Sequence, residues 1–110
     1  MKRLIADSGS TKTDWCVSDQ GKMLWRSTTP GINPFHQSPE EIAGIIQEMA
    51  AQLAGQQDIQ RIEFYGAGCA LPEKKGLMAH LLQQVLPECE EIHVASDLEG
   101  AARAACHGQA

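Results

Sequence analysis

Three short apolar segments lie close together at the start of the chain, and beyond them segments of helical and of strand period alternate. Strands are predicted at residues 2–6, 13–17 and 23–28, with a turn at residues 19–22 before the third strand. Such a meander, followed by alternating helices and strands, predicts an α/β fold. We expect one mixed sheet whose later strands are parallel and whose faces are covered by helices.

The alternating part of the pattern begins with a helix. Ser38-Pro39-Glu40-Glu41 combines a hydroxyl N-cap, a proline at the first helical position and an acid three residues after the cap, which is typical of a helix start. Apolar residues then recur at helical spacing up to Gly55, where we expect the helix to end. The remaining predicted elements are a strand at 59–65, a helix at 72–86, a strand at 91–95 and a last helix capped by Ser96.

Composition places the chain among small globular domains. Its 110 residues are 43% hydrophobic and 21% charged, which suits a single core. No apolar run approaches the roughly 20 residues that span a bilayer, and Asp7 interrupts the apolar start before it could serve as a signal peptide. We therefore expect a soluble, cytoplasmic protein with no membrane partner.

Charge and cysteine spacing exclude two further classes. The net charge is -5 and the nine Lys and Arg residues are scattered, so the basic stripe that binds nucleic acid is missing. The four cysteines occur singly, without the C-x-x-C pairs of zinc and redox motifs. Reduced structural thiols are the expected state.

The connection between the first two predicted strands has an unusual composition. It reads Asp7-Ser8-Gly9-Ser10-Thr11-Lys12-Thr13, and its small residues can turn tightly and aim N–H groups and hydroxyls at an anion. Lys12 adds positive charge, and an acid beside phosphates requires a hydrated Mg²⁺ to separate the like charges. It is not a Walker A loop, because the glycine spacing is absent and it joins two strands. Alternatively, Asp7 only caps a turn and the hydroxyls serve hairpin geometry.

Two other predicted strands end in residues suited to ligand contact. Gly66-Ala67-Gly68 follows the fourth strand and Asp97 follows the fifth. Ligands of open α/β sheets bind at the carboxyl ends of strands, so these residues and Asp7 are candidates for one site. The alternative for Asp97 is a favourable charge at a helix N-terminus.

Together these segments resemble a known family. The stretch from Asp7 to Thr13 resembles the first phosphate motif of the sugar kinase, heat-shock protein 70 and actin superfamily, specifically its BadF/BadG/BcrA/BcrD ATPase and N-acetylglucosamine kinase branch. Gly31-Ile32-Asn33 resembles that branch's sugar-contacting loop, and Gly66-Ala67-Gly68 and Ser96-Asp97 match later landmarks. The resemblance covers essentially the whole chain and implies one ribonuclease-H-like N-terminal lobe over residues 1–110, with a five-stranded mixed sheet.

The resemblance also implies roles for individual residues. Asp7 would organise Mg²⁺ through water, and the residues that follow it, Ser8, Gly9, Ser10, Thr11, Lys12 and Thr13, would lie beside the phosphates of ATP. Asn33, with Gly66, Ala67 and Gly68 nearby, would contact a sugar, and Asp97 would be the general base that accepts the proton of the sugar hydroxyl. Phosphoryl transfer needs mainly such positioning and charge neutralisation. The implied activity is ATP-dependent phosphorylation of an amino sugar.

Two departures from the family pattern limit this expectation. Ser8 and Ser10 replace glycines of the family's Asp-Gly-Gly-Gly-Thr hairpin, so they put Cβ atoms where a positive φ would be expected, or else donate hydroxyls to phosphate. The sequence also stops at Ala110, before the family's second phosphate motif and second lobe. A half-clamp leaves phosphates in water, so we expect millimolar or weaker affinity for ATP and no turnover by this chain alone.

Two other functions stay open from the sequence. One is the ATPase component of an activator for a 2-hydroxyacyl-CoA dehydratase or benzoyl-CoA reductase, in the same branch. The other is a non-catalytic module that binds a partner through its interdomain face, including a second copy of this chain in place of the missing lobe.

Overall fold

The structure is a computed structural model, and it describes residues 1–53, 55–56 and 58–96. Its five strands are β1 (Lys2–Ser8), β2 (Lys12–Asp19), β3 (Lys22–Pro30), β4 (Arg61–Gly66) and β5 (Glu91–Ala95). They form one sheet in the order β3-β2-β1-β4-β5. The first three strands are antiparallel neighbours, whereas β4 runs parallel to both β1 and β5. This confirms the predicted mixed sheet.

The first three strands are longer than predicted. Ser8 pairs with Thr13, and Lys12 and Thr13 pair in turn with Pro30 and Thr29. The expected connection over residues 7–13 is therefore wrong at both ends, because ladder hydrogen bonds continue through polar residues that carry no apolar signal. The true turn is Gly9–Thr11.

Two helices are described, α1 (Pro39–Gln52) and α2 (Pro72–Val85). The predicted capping box is present at α1, where Ser38 Oγ accepts from the Glu41 N–H at 3.2 Å and Glu41 Oε1 accepts from the Ser38 N–H at 3.1 Å. The α1 helix ends at Gln52 and its C-cap is Leu53, two residues before the predicted stop at Gly55, and α2 ends one residue before the predicted Leu86. The predicted last helix lies outside the described residues.

Both described helices contribute to one hydrophobic core on one face of the sheet. Alternate residues of the strands point into it, and Trp15 of β2 packs against Phe64 of β4 with ring centroids 6.0 Å apart. The fully buried residues with the largest side chains in this core are Leu4, Trp15, Val17, Ile32, Ile42, Ile46, Met49, Ile62, Phe64, Met78 and Leu82. Residues on the opposite face form a second, smaller buried cluster of Ile5, Cys16, Tyr65 and Ala95.

A charged network on that opposite face joins three strands. Glu63 of β4 is 8% exposed, and it binds Arg3 of β1 at 3.0 Å and Arg61 at 3.2 Å, while Tyr65 donates to it at 2.9 Å. Arg61 also binds Glu91 of β5 at 2.8 Å, and this hydrogen bond raises the pKa of Arg61. Burial by itself would raise the pKa of Glu63, but the Tyr65 hydrogen bond and the two arginine charges outweigh it and lower that pKa.

The turn between β2 and β3 lies at the end of the sheet away from Gly9–Thr11. Gln20 and Gly21 have φ of 53° and 81°, so both occupy the left-handed region that a tight two-residue hairpin requires. This confirms the turn predicted at residues 19–22. No helix within the described part of the chain is long and apolar enough to cross a membrane.

Candidate functional site

The β1–β2 hairpin presents an exposed turn at one end of the sheet. The Gly9 N–H donates to the Lys12 carbonyl at 2.8 Å, and residues 9–12 are all exposed. Neither Ser8 nor Ser10 has a positive φ, so the expectation that glycine conformations are needed here is wrong. Their Cβ atoms fit a hairpin built from ordinary backbone conformations.

The two serines differ in what their hydroxyls can reach. Ser8 is 1% exposed, and its Oγ lies 2.8 Å from Thr13 Oγ1 and 2.9 Å from the Ile32 nitrogen. This hydroxyl is engaged inside the protein, whereas Ser10 and Thr11 are exposed. Thr13 is likewise buried and donates to the Pro30 carbonyl at 3.1 Å.

Asp7 is half-buried, and across the hairpin it lies opposite Asp14. Asp14 is 6% exposed, accepts a hydrogen bond from Thr28 at 3.3 Å and has a carboxylate oxygen 3.9 Å from Lys12 Nζ. Sequence reasoning missed Asp14, although a hairpin in which residue 8 pairs with residue 13 necessarily puts residue 14 opposite residue 7. The hairpin thus combines two acids and one lysine at its base.

This donor set fits a cation held largely by water. The described residues contain no cluster of three or more His, Cys, Asp or Glu that could bind a metal ion directly. Mg²⁺ commonly keeps several waters and takes one or two carboxylates plus phosphate oxygens. Asp7 can supply one carboxylate in that arrangement, and Asp14 adds a second negative charge beside it.

The loop at residues 31–37, which follows β3 and is called the Asn33 loop, packs directly on the hairpin. The Gly31 N–H donates to the Thr11 carbonyl at 3.2 Å. A Cβ atom at Gly31 would lie only 2.5 Å from the Gly9 carbonyl oxygen, so only glycine permits this approach. The Gln37 side chain braces the loop, because it accepts from the Asn33 N–H at 2.8 Å and donates to the Gly31 carbonyl at 3.0 Å.

The Asn33 side chain is oriented by its neighbours. Its Oδ1 accepts from the Phe35 N–H at 2.9 Å, which identifies the other terminal atom as the amide nitrogen. Within the described residues that nitrogen has no hydrogen-bond partner, and Asn33 is half-exposed. It can therefore donate to a ligand hydroxyl.

The turn after β4 closes against Asn33. Gly68 has a φ of 80°, and a Cβ atom there would lie 2.5 Å from Asn33 Oδ1. Gly66 pairs with Ser8 in the parallel ladder. The structure thus brings the hairpin, the Asn33 loop and Gly66-Ala67-Gly68 together at the carboxyl ends of β1 and β4. Asp97, the predicted base, lies outside the described residues.

Sequence reasoning also missed an aromatic residue at this site. Phe35 is 55% exposed, its ring edge would meet a Cβ atom at Gly68 at 3.0 Å, and Lys74 Nζ lies 5.1 Å from its centroid. A single aromatic in a polar loop carries no periodic signal, so only the fold reveals that it flanks Asn33.

Comparison with known proteins gives matches among solved structures. A protein of Porphyromonas gingivalis, provisionally assigned as an N-acetylglucosamine kinase, is 47% identical over 94% of this chain, with a TM-score of 0.82. The ROK hexokinase of Thermus thermophilus is 22% identical over 100% of the chain, with a TM-score of 0.72. A Bacteroides thetaiotaomicron protein with an actin-like ATPase fold and unknown function is 16% identical over 97% of the chain, with a TM-score of 0.55.

The chain spans only 37%, 38% and 36% of the lengths of these three proteins, respectively. No protein-family model and no curated protein matches it. The two weaker sequence identities establish the fold, and the first match adds sequence similarity along nearly the whole chain. The chain therefore has the actin-like ATPase fold, which is ribonuclease-H-like, and over 94% of its length it is similar in sequence to a protein provisionally assigned as an N-acetylglucosamine kinase.

Proposed function

We propose that this chain is the N-terminal lobe of an ATP-dependent amino-sugar kinase, which transfers the γ-phosphate to a sugar hydroxyl when a second lobe is present. The observation that carries the proposal is the direct packing of three segments, in which Gly31 meets the hairpin at Gly9 and Gly68 meets Asn33. An anion-binding turn and an oriented amide donor thus lie side by side, as transfer between two bound substrates requires.

In this proposal the exposed turn at residues 9–12 lies along the ATP phosphates. The backbone N–H groups and hydroxyls of Ser10 and Thr11, together with the Lys12 ammonium, offset the phosphate charge. Asp7 would hold Mg²⁺ through water, and the bound ion would further neutralise charge on the transferred group. Asp14 holds Lys12 near the base of the hairpin through their 3.9 Å contact.

The acceptor sugar lies against the Asn33 loop and Gly66-Ala67-Gly68. The Asn33 amide nitrogen donates to one hydroxyl, which orients the ring so that another hydroxyl faces the γ-phosphate. A bond forms from that oxygen to the γ-phosphorus while the bridging bond to the β-phosphate breaks, and the hydroxyl proton passes to the Asp97 carboxylate. The sequence identity to the Porphyromonas gingivalis protein favours N-acetylglucosamine as the acceptor to test first.

An NMR titration of this chain tests the proposal. We expect Mg-ATP to shift the amides of residues 9–13 and N-acetylglucosamine to shift those around Asn33. Asp7→Asn should weaken the first response and Asn33→Ala the second, each leaving the other in place. If neither group of amides shifts at about tens of millimolar ligand, the proposal is wrong for this chain.

A second test concerns the base. In the two-lobed protein, Asp97→Asn should abolish phosphoryl transfer while ATP binding persists, because the carboxamide cannot accept the proton. Undiminished turnover would show that another group is the base.

A further inference from the structure

The hydroxyl of Ser8 holds the backbone of the loop that carries Asn33. Ser8 Oγ accepts from the Ile32 N–H at 2.9 Å and donates to the Ile32 carbonyl at 3.1 Å. Ile32 is fully buried, so its two backbone groups need partners inside the protein. One side-chain oxygen on β1 therefore serves both polar backbone groups of the residue immediately before Asn33.

Ser8 is itself fixed by the hairpin. It is the last residue of β1, pairs with Thr13 across the hairpin and lies 2.8 Å from Thr13 Oγ1. Thr13 in turn donates to the Pro30 carbonyl at 3.1 Å. The same two hydroxyls thus connect β1 and β2 with Pro30 at the end of β3 and with Ile32 of the Asn33 loop.

Glycine at position 8 would leave these Ile32 groups without this partner. Alanine would do the same while keeping the Cβ atom. The Ser8 hydroxyl therefore determines how the loop is held, and serine costs no backbone strain here because Ser8 has no positive φ.

We infer that Ser8 is a positioning residue, whose buried hydroxyl fixes the position of Asn33 relative to the β1–β2 hairpin. Ser8 thereby determines the affinity for the acceptor sugar without touching either substrate. The inference rests on the proposed function for its catalytic meaning, but the structural link between Ser8 and the loop stands independently of it.

The experiment compares amide hydrogen exchange in the wild-type chain, Ser8→Ala and Ser8→Gly. We expect exchange of the Ile32 and Asn33 amides to rise at least tenfold, while the Val17 and Phe64 amides in the sheet change little, because only local opening becomes easier. Ser27→Ala is the matched control, since Ser27 is also a sheet serine, but its hydroxyl binds Gln52 of α1. Its substitution should leave the loop amides unchanged.

The NMR response to each ligand distinguishes a positioning role of Ser8 from a general contribution to the stability of the fold. In both Ser8 variants we expect the N-acetylglucosamine response at Asn33 to need at least fivefold more sugar, whereas the Mg-ATP response at the hairpin stays within twofold. Equal acceleration of all amides, or an unchanged sugar response, would overturn the inference. A wild-type chain that responds to Mg-ATP but not to the sugar would instead contradict the proposed acceptor, and the exchange comparison would still decide the role of Ser8.

Discussion

Four glycines show how differently the same residue serves this fold. Gly31 and Gly68 lie where a Cβ atom would come within 2.5 Å of another atom, whereas Gly44 in α1 and Gly76 in α2 have nothing within 4 Å of that position. Gly31 allows the Asn33 loop to contact the β1–β2 hairpin, and Gly68 allows the turn after β4 to contact Asn33. The other two are exposed helix positions where glycine only adds freedom to the unfolded chain.

A matched pair of substitutions measures this difference. Gly68→Ala should destabilise the chain by more than about 1 kcal/mol, because alanine resists the left-handed conformation and its Cβ displaces Asn33. Gly76→Ala should stabilise it by about 0.5–1 kcal/mol. Urea unfolding gives both values. Equal effects of the two changes would show that the close approach at Gly68 is not rigid.

The roles of some single residues could be predicted from the sequence, whereas the burial of Ser8 could not. The importance of Gly68 follows from a local pattern, because tight turns after strands favour glycine, whereas Asn33 was indicated only by the resemblance of its loop to a sugar-contacting loop. The burial of Ser8 follows from no local pattern, because its partner Ile32 is 24 residues away. A residue's depth in the fold depends on such distant contacts, and these leave no local pattern.

At the level of elements, strand and helix identity was predictable but strand length was not. Short apolar segments identify all five strands, and the Ser38 capping box gives the start of α1. The first three strands extend further because ladder pairing also includes polar residues such as Ser8 and Thr13. In contrast, β4 begins two residues later than predicted, and β5 has the predicted bounds. Polar pairs of this kind bring the site residues into register.

The ion pairs of the Glu63 network, which connect β1, β4 and β5, should weaken at low pH. Since its folded pKa is lowered, the carboxylate contributes its full stability above the unfolded pKa of about 4.3, and this contribution is lost as the pH falls through the lower folded pKa. Glu63→Gln should therefore cost about 1–2 kcal/mol at neutral pH, since the arginines are partly exposed.

Unfolding experiments on the wild type and Glu63→Gln at neutral pH and below about pH 4 test this. The difference in unfolding free energy should shrink in acid. Glu48→Gln in α1 is the control, because Glu48 is exposed. A gap that stays constant with pH would show that the charge of Glu63 does not stabilise the sheet.

At the level of the whole molecule, the sheet collects the candidate residues at one end. The carboxyl ends of the parallel strands β1 and β4 lie there, together with the β1–β2 turn. That topology was predictable from the order of elements. The sequence therefore already indicated that residues at the carboxyl ends of these strands could form one site. The contacts themselves depend on close approaches such as that of Gly31 to Gly9.

The exposure of residues 9–12 predicts weak nucleotide binding by the chain alone. Exposed charge contacts contribute at most about 1 kcal/mol each, so the dissociation constant of Mg-ATP should be about 1 mM or higher. NMR titration with sedimentation on the same samples measures affinity and association together. Micromolar binding by a monomer would contradict this expectation, whereas micromolar binding by a dimer would show that a second copy completes the site.

The Gln20–Gly21 turn has a practical consequence for such experiments. It lies at the opposite end of the sheet from residues 9–12, both of its residues are exposed, and its geometry tolerates glycine-rich replacement. A fluorophore, spin label or surface tether attached there would report on the chain, or immobilise it, with the ligand end facing solution.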